Sequence, residues 1–225
     1  MKKINLLYLV ALATVCNVWT ADNNVQNFIS AVKENNIDGV KQMLKQGIDP
    51  NEKGERGLTA LHWAIHNGSE EMTKLLLENE ADPNIADRYK VRPLWRAAKL
   101  KNNPVIVKLL LEHGADPNVG QENEDRPFLV ELVVNKFKDE DNAEIIRLLL
   151  KHNANPNVIQ KKNLETTRRI SHSPLYWAAI RKDNKLVELL LSHGAKLMSA
   201  GEQKPSVLEA IQSEQGPMTK RAINK

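Results

Sequence analysis

The stretch LLLEHGADPN, Leu109–Asn118, decides the fold because near-copies of it recur along the chain. LLLENEADPN ends at Asn84, LLLKHNANPN ends at Asn157, and a divergent MLKQGIDPN ends at Asn51. A fifth copy, LLLSHGAK, ends at Lys196. The final asparagines are 33, 34 and 39 residues apart, and self-similarity at such a period is typical of a solenoid of stacked repeats.

Two short helices are predicted in each repeat. LTALHWAIHNG, residues 58–68, has Thr59 as a hydroxyl N-cap and apolar residues on one helical face (Leu61, Ala64 and Ile65). SEEMTKLLLEN, residues 69–79, has Ser69 as N-cap and two glutamates at the positive end of the helix dipole. Its residues expected to face inward are Met72, Leu75 and Leu76. Helices of about nine residues are unstable alone in water, so the leucine triplets must pack one repeat against the next.

A stop and a turn follow the second helix. Gly114 and Gly194 stand where a left-handed backbone would strain a Cβ, and Asn153 and Glu80 take that place in other copies. An Asp-Pro or Asn-Pro pair comes next, and proline disfavours helical geometry in the residue before it. We therefore expect the chain to leave each repeat as an extended strand and to form a hairpin-like loop before the next helix.

These residues resemble the ankyrin repeat. GLTALHWAIHNGSEEMTKLLLENEADPN is similar to the family pattern G-x-T-P-L-H-x-A-x-x-x-G followed by LLL-x-x-G-A-D-x-N. RPLWRAAKLKN and SPLYWAAIRKDN repeat the first half, with Arg92 or Ser173 in the threonine place. The resemblance implies an all-α ankyrin-repeat solenoid of stacked helix-turn-helix units with hairpin-like connecting loops. A tetratricopeptide array shares the period but lacks this turn and this helix start.

One domain, residues 22–225, is expected, and we expect it to be monomeric. Its predicted units are at about 24–57, 58–91, 92–125, 126–172, 173–203 and a partial cap at 204–225. The outermost units depart most from the pattern, which suits a solenoid because its two end faces meet water.

The first 21 residues differ from the rest in having a basic start followed by an apolar run of sixteen residues. A bilayer span needs roughly 20 apolar residues, so this run is short for one. The pattern instead predicts a secretory signal peptide, cleaved after residue 13 or 21. We therefore expect a secreted or periplasmic protein with no transmembrane span in the mature chain. The alternatives are a hydrophobic helix that caps the domain, a lipoprotein attached through Cys16, and membrane association through the uncleaved segment. Export together with such repeats suggests a bacterial envelope protein or an effector released towards a host.

No catalytic pattern stands out: we find no phosphate loop, nucleophile elbow or cysteine–histidine ligand spacing. We therefore expect no enzyme, no cofactor, no metal and no small-molecule substrate. His62 and His66 have a spacing that can grip a metal, but no third ligand is evident, and the resemblance implies that His62 braces a loop by hydrogen bonding. His113, His152 and His193 end second helices, where a positive charge suits the helix dipole. The net charge of +4, from 32 basic and 28 acidic residues, does not favour a nucleic-acid partner.

The resemblance implies that another protein binds a concave face made of hairpin tips and first helices. The predicted partner-binding residues at the tips are Glu55, Arg56, Leu58, Arg88, Tyr89, Val91, Glu122, Asn123 and Asp125. Those at the ends of the first helices are His66, Asn67, Lys99, Leu100, Arg181 and Lys182. Tyrosine and arginine are enriched at interface hot spots, which favours the second tip. The aromatic residues expected to pack beside the core are Trp63, Trp95, Tyr176 and Trp177, although Trp95 and Tyr176 replace the family histidine and could reach the concave face.

A basic insertion, residues 158–172, makes the connection before Ser173 twice as long as its counterparts. It carries Lys161, Lys162, Arg168 and Arg169 against a single Glu165. Insertions in solenoids often lie on the binding face, so we expect a protruding finger that contacts the partner or docks on an anionic membrane or nucleic acid. The neighbouring tip GQENED is acidic, and an acidic tip beside a basic finger suits a partner of mixed charge better than a polyanion.

Overall fold

Helices and turns alternate along the chain in the computed structural model, which describes residues 24–99, 103–118, 127–134, 140–159 and 173–196. The first helix, α1, covers residues 24–33. The helices that follow are α2 (Ile37–Lys45), α3 (Ala60–His66), α4 (Glu70–Glu78), α5 (Pro93–Lys99), α6 (Pro104–Glu112), α7 (Phe128–Val134), α8 (Glu140–Lys151), α9 (Pro174–Ile180) and α10 (Asn184–Ser192). The described residues contain no β-strand, and the predicted all-α class is confirmed.

The helices pack in pairs, and the pairs stack in one row. Within the pairs, α3 contacts α4, α5 contacts α6, α7 contacts α8 and α9 contacts α10. Between the pairs, α3 packs on α5 and α7 on α9, while the second helices α2, α4, α6, α8 and α10 each pack on the next. A row in which each unit contacts mainly its neighbours is the predicted solenoid.

The leucine triplets form the centre of the stack. The middle leucine of every triplet is 0% exposed: Leu76, Leu110, Leu149 and Leu190. On α4, Met72 is buried as predicted, but Leu75 is only partly buried and Leu77 is buried in its place. The reason is that the buried face of α4 is centred between Leu76 and Thr73, which leaves Leu75 at its edge.

Side-chain caps and left-handed stops bound the second helices as predicted. Ser69 Oγ accepts a hydrogen bond from the backbone N–H of Met72 at 3.3 Å, which starts α4. The stop position has a φ of 83° at Gly114 and Gly194, 66° at Asn153 and 65° at Glu80. Glu80 therefore pays a backbone strain that glycine avoids.

The exit from each repeat is a turn, and the prediction of an extended strand there is wrong. Asp82 Oδ1 accepts a hydrogen bond from the backbone N–H of Asn84 at 2.8 Å, across the intervening proline. The same bond recurs at Asp116 and Asn155, with a length of 2.9 Å in both. The aspartate or asparagine side chain thus closes a turn that proline alone would leave extended.

The last asparagine of the repeated motif joins each repeat to the next. Asn84 Nδ2 donates to the carbonyl of Gly114 at 2.9 Å, and Asn84 Oδ1 accepts from the N–H of Asp116 at 2.9 Å. The equivalent asparagines make the same pair of bonds to the following repeat: Asn51, Asn118 and Asn157. This ladder explains why the motif ends in asparagine at four places in the chain.

Candidate functional site

The second hairpin tip, residues 87–91, lies between α4 and α5. The buried carboxylate of Asp87 accepts hydrogen bonds from the backbone N–H groups of Tyr89 (2.8 Å) and Val91 (3.0 Å). It also lies 2.9 Å from Nη2 of Arg96 on α5. This network of hydrogen bonds fixes the backbone of the tip and leaves the side chain of Tyr89 on the surface, 62% exposed.

The first hairpin tip, residues 54–58, lies between α2 and α3. It closes with a backbone hydrogen bond from Gly54 N–H to the Leu58 carbonyl at 2.9 Å, which is equivalent to the bond from Asp87 N–H to the Val91 carbonyl at 3.0 Å in the second tip. Arg56 in this tip has a left-handed backbone with a φ of 59°. That conformation costs a residue with a side chain about 1–2 kcal/mol. The carbonyl of Arg56 accepts a hydrogen bond from the N–H of Arg88 at 2.9 Å, so the two tips are directly joined.

His62, on α3, braces the second tip. The imidazole is 1% exposed, and its Nδ1 accepts a hydrogen bond from the backbone N–H of Thr59 at 3.2 Å. Its Nε2 faces the carbonyl of Val91 at 3.4 Å. Burial, which removes water from the charged form, lowers the pKa of His62 to about 4, and the nearby Arg96 adds to the effect. His62 is therefore a neutral structural group at pH 7, and its predicted bracing role is confirmed.

A groove of about 200 Å³ lies between the two tips and the first helices α3 and α5. The residues around it are Arg56, Leu58, Trp63, His66, Tyr89 and Arg96, together with the buried His62 and Asp87. Two further cations lie on its aromatic rings: Lys33 Nζ is 4.3 Å from the centre of the Trp63 ring, and the guanidinium of Arg88 is 5.5 Å from that of Tyr89. Four of the predicted partner-binding residues therefore share one groove (Arg56, Leu58, His66 and Tyr89).

The remaining predicted tip residues differ in exposure. Glu55 and Arg88 are exposed, whereas Val91 is partly buried. The sequence reasoning missed Asp87, Arg96 and Lys33. The repeat period could have found Lys33, because it lies 33 positions before His66.

Two of the residues predicted at the ends of first helices also contact the preceding repeat. Asn67 Nδ2 donates to the carbonyls of Val32 and Lys33 at 3.3 and 3.0 Å. The guanidinium of Arg181 donates to the carbonyls of the last two residues of α7. Both side chains are exposed and yet help to hold adjacent repeats together. Lys182, which follows, is exposed and has a φ of 56°.

The aromatic residues beside the core are partly buried and pack against it, as predicted: Trp63, Trp95, Tyr176 and Trp177. Trp95 Nε1 donates to Oε2 of Glu131 on α7 at 3.3 Å. Glu131 is 6% exposed and stands where other repeats have a small buried alanine. The sequence reasoning did not single it out.

Several predictions fall outside the described residues. They concern Leu100, Glu122, Asn123, Asp125, Lys161, Lys162, Arg168 and Arg169, the side chain of Lys99, the signal peptide and the C-terminal cap. Within the described ranges, no three histidine, cysteine, aspartate or glutamate side chains form a group that could hold a metal ion.

Of the helices that the structure describes, none is long and apolar enough to cross a bilayer.

Comparison with protein families identifies the repeats. A model for ankyrin repeats in three copies matches residues 28–121, and a model for a single ankyrin repeat matches residues 172–201. The first match contains both tips and the groove. The predicted ankyrin resemblance is confirmed, and the stacked helices are those of an ankyrin-repeat solenoid.

Known relatives are similar over about a third of the chain. An ankyrin repeat protein of fowlpox virus is 38% identical over 72 residues, which are 32% of this chain and 9% of the relative. An ankyrin repeat-containing protein of Schizosaccharomyces pombe is 35% identical over 75 residues, 33% of this chain and 36% of the relative. Serine/threonine-protein kinase 12 of Arabidopsis thaliana is 38% identical over 73 residues, 32% of this chain and 16% of the kinase. The chain thus covers between about a tenth and about a third of the length of these relatives.

Proposed function

Because the chain contains ankyrin repeats, which generally mediate protein–protein interaction, we propose that it is a non-catalytic module that binds one partner protein through its two hairpin tips and the helices α3 and α5. The observation that carries this proposal is the position of Tyr89, a large aromatic side chain that is 62% exposed on the rim of a groove. Such a side chain offers much contact area for little loss of conformational entropy.

Affinity capture with a tip variant tests this proposal. The bait is the purified chain, and the variant combines Arg88→Ala with Tyr89→Ala. The matched control is Lys108→Gln on the second helix α6. The Lys108 ammonium is exposed, and its Nζ lies 3.8 Å from Oε1 of Glu112. We expect wild type and control to recover the same protein, also at high salt, and the tip variant to lose it. Equal recovery with all three baits would refute the placement of the site, and loss at moderate salt would indicate electrostatic docking instead.

Export is a second part of the proposal. It is supported by the basic start and the short apolar run of the first 21 residues. Fusion of residues 1–30 to a reporter that is active only outside the bacterial cytoplasm should give activity. N-terminal sequencing of the released protein should then begin after residue 13 or 21. An inactive reporter, or an intact Met1 on the mature chain, would contradict export by a cleaved signal peptide. Recovery of a host protein in the capture experiment would favour a secreted effector.

A further inference from the structure

The groove between the tips is lined by cations and flat apolar surfaces. Arg56 and Arg96 border it, and Lys33 and Arg88 lie against the rings of Trp63 and Tyr89. The only carboxylate among the described lining residues is Asp87, whose side chain is 1% exposed and already paired with Arg96. The groove therefore presents excess positive charge to whatever enters it.

Arg56 is held at an energetic cost that points to a use for its side chain. Its φ of 59° is the left-handed conformation in which glycine would be unstrained. The next residue, Gly57, is already a glycine with a φ of 71°, so the tip contains one strained and one unstrained left-handed residue in succession. Strained residues of this kind cluster at ligand-binding sites, and Arg56 is exposed beside the groove.

Arg96 is pre-oriented for a second acceptor. Its Nη2 is fixed by Asp87 at 2.9 Å, which sets the plane of the guanidinium. Its side chain lines the groove and is 27% exposed, so an acceptor that enters the groove can approach the guanidinium. A guanidinium that is fixed at one edge loses little entropy when an acceptor binds elsewhere, and a carboxylate matches the geometry of its N–H donors.

We propose that the groove binds an extended acidic segment of the partner protein. One aspartate or glutamate carboxylate of that segment reaches Arg56 and Arg96, and a neighbouring apolar side chain lies against Trp63 and Tyr89. The inference rests on the proposed function and names the chemistry of the partner. At about 200 Å³ the groove is smaller than the roughly 300–1,000 Å³ of small-molecule sites, which suits one or two side chains of a longer segment.

A peptide segment fits this surface better than a nucleic acid. Glu55 is exposed on the first tip, directly beside Arg56. A continuous polyanion that followed the cations would pass this carboxylate and be repelled, whereas isolated carboxylates on a peptide can avoid it.

Fluorescence anisotropy with a labelled synthetic peptide tests the inference. The probe is a short peptide in which glutamate alternates with phenylalanine and leucine. The comparison probes are the same peptide with glutamine in place of glutamate, and a labelled oligothymidylate. We expect the glutamate peptide to bind at least about tenfold more tightly than the glutamine peptide and more tightly than the oligonucleotide.

Variants then locate the binding. Arg56→Gly should weaken binding of the glutamate peptide about fivefold or more while leaving the thermal midpoint unchanged or higher, because the strain is relieved. Lys108→Gln should stay within about twofold of wild type, since it removes one exposed cation on another helix. A retained midpoint shows that lost binding in Arg56→Gly is not unfolding.

Four outcomes would overturn the inference: no binding of the glutamate peptide, equal binding of the glutamine peptide, unchanged binding by Arg56→Gly, or tighter binding of the oligonucleotide. Its failure is distinguishable from failure of the proposed function. Tip-dependent capture of a protein together with a negative peptide result would leave the binding module intact and reject only the acidic segment.

Discussion

Acid should destabilise this protein through His62. The imidazole is buried, and its Nδ1 accepts a hydrogen bond from the Thr59 N–H. Desolvation and the charges of Arg96 and Lys53 lower the pKa of His62 from 6.5 to about 4. The Val91 carbonyl and Asp87 oppose this shift. Protonation of Nδ1 would also remove the acceptor of the Thr59 hydrogen bond. Because the folded pKa lies below the unfolded one, the unfolded chain binds the proton first. The contribution of neutral His62 to stability is then fully present above pH 6.5 and is lost as the pH falls towards 4.

The size of the effect follows from the shift in pKa. Each unit corresponds to about 1.4 kcal/mol, so His62 should lower the free energy of unfolding by about 2 kcal/mol at pH 5 and about 3 kcal/mol at pH 4, relative to pH 7. These losses are a large part of the roughly 5–15 kcal/mol that stabilises a typical domain.

Urea unfolding at pH 7, 6, 5 and 4 measures this loss, with His62→Gln as the variant that cannot titrate. The variant should be less stable at pH 7, because it loses the brace, but should show a shallower fall with acid. The other histidines and the carboxylates titrate in both proteins, so the difference between the two slopes isolates His62. Parallel profiles from pH 7 to 4 would refute the reasoning.

Three further predictions concern the scaffold and the basic insertion. Asn84→Ala should lower the free energy of unfolding in urea by about 1–3 kcal/mol, because it removes both inter-repeat hydrogen bonds of one ladder step. The control is Asn79→Ala, since the Asn79 amide donates within its own repeat, and an equal or smaller loss for Asn84→Ala would contradict the prediction. Glu80→Gly should raise the thermal midpoint and increase the free energy of unfolding by roughly 0.5–1 kcal/mol, because Glu80 has a φ of 65°. A lower midpoint would show that the strain is compensated elsewhere. Deletion of residues 160–169 should abolish co-sedimentation with anionic vesicles at low salt if the insertion docks electrostatically, and unchanged sedimentation would exclude that role.

The fold could be predicted because its rules are local and repeated. The hydroxyl cap at Ser69, the left-handed stop at Gly114 and the triple leucine each act over a few residues, and several copies average out the exceptions. The asparagine ladder was not predicted, since each of its bonds joins residues about thirty positions apart. Once the repeat period is known, however, such bonds recur at equivalent positions.

The candidate site could be predicted only in outline. Tyr89 was found because the resemblance assigns that position to a tip, and aromatic residues there favour binding. The left-handed backbone of Arg56 could not be found, because nothing in its residue type indicates a positive φ. The contact of Arg181 with α7 was missed for a different reason: an arginine at a helix end usually faces water, and only the stacked neighbour supplies the carbonyls.

The difference between the two tips can be traced to the first repeat. Gly54 occupies the position of Asp87, 33 residues earlier, and a Cβ at Gly54 would lie 2.3 Å from Cδ1 of Ile29. Ile29 in turn occupies the position of the bracing His62. Ile29 thus favours glycine at the start of the first tip. The first tip therefore lacks the carboxylate that holds the backbone of the second tip. Both tips contain left-handed backbone, at Arg56 and Gly57 in the first tip and at Lys90 in the second. The buried Ile29 of the first repeat therefore accounts for the glycine, and for the missing carboxylate, at the start of the first tip.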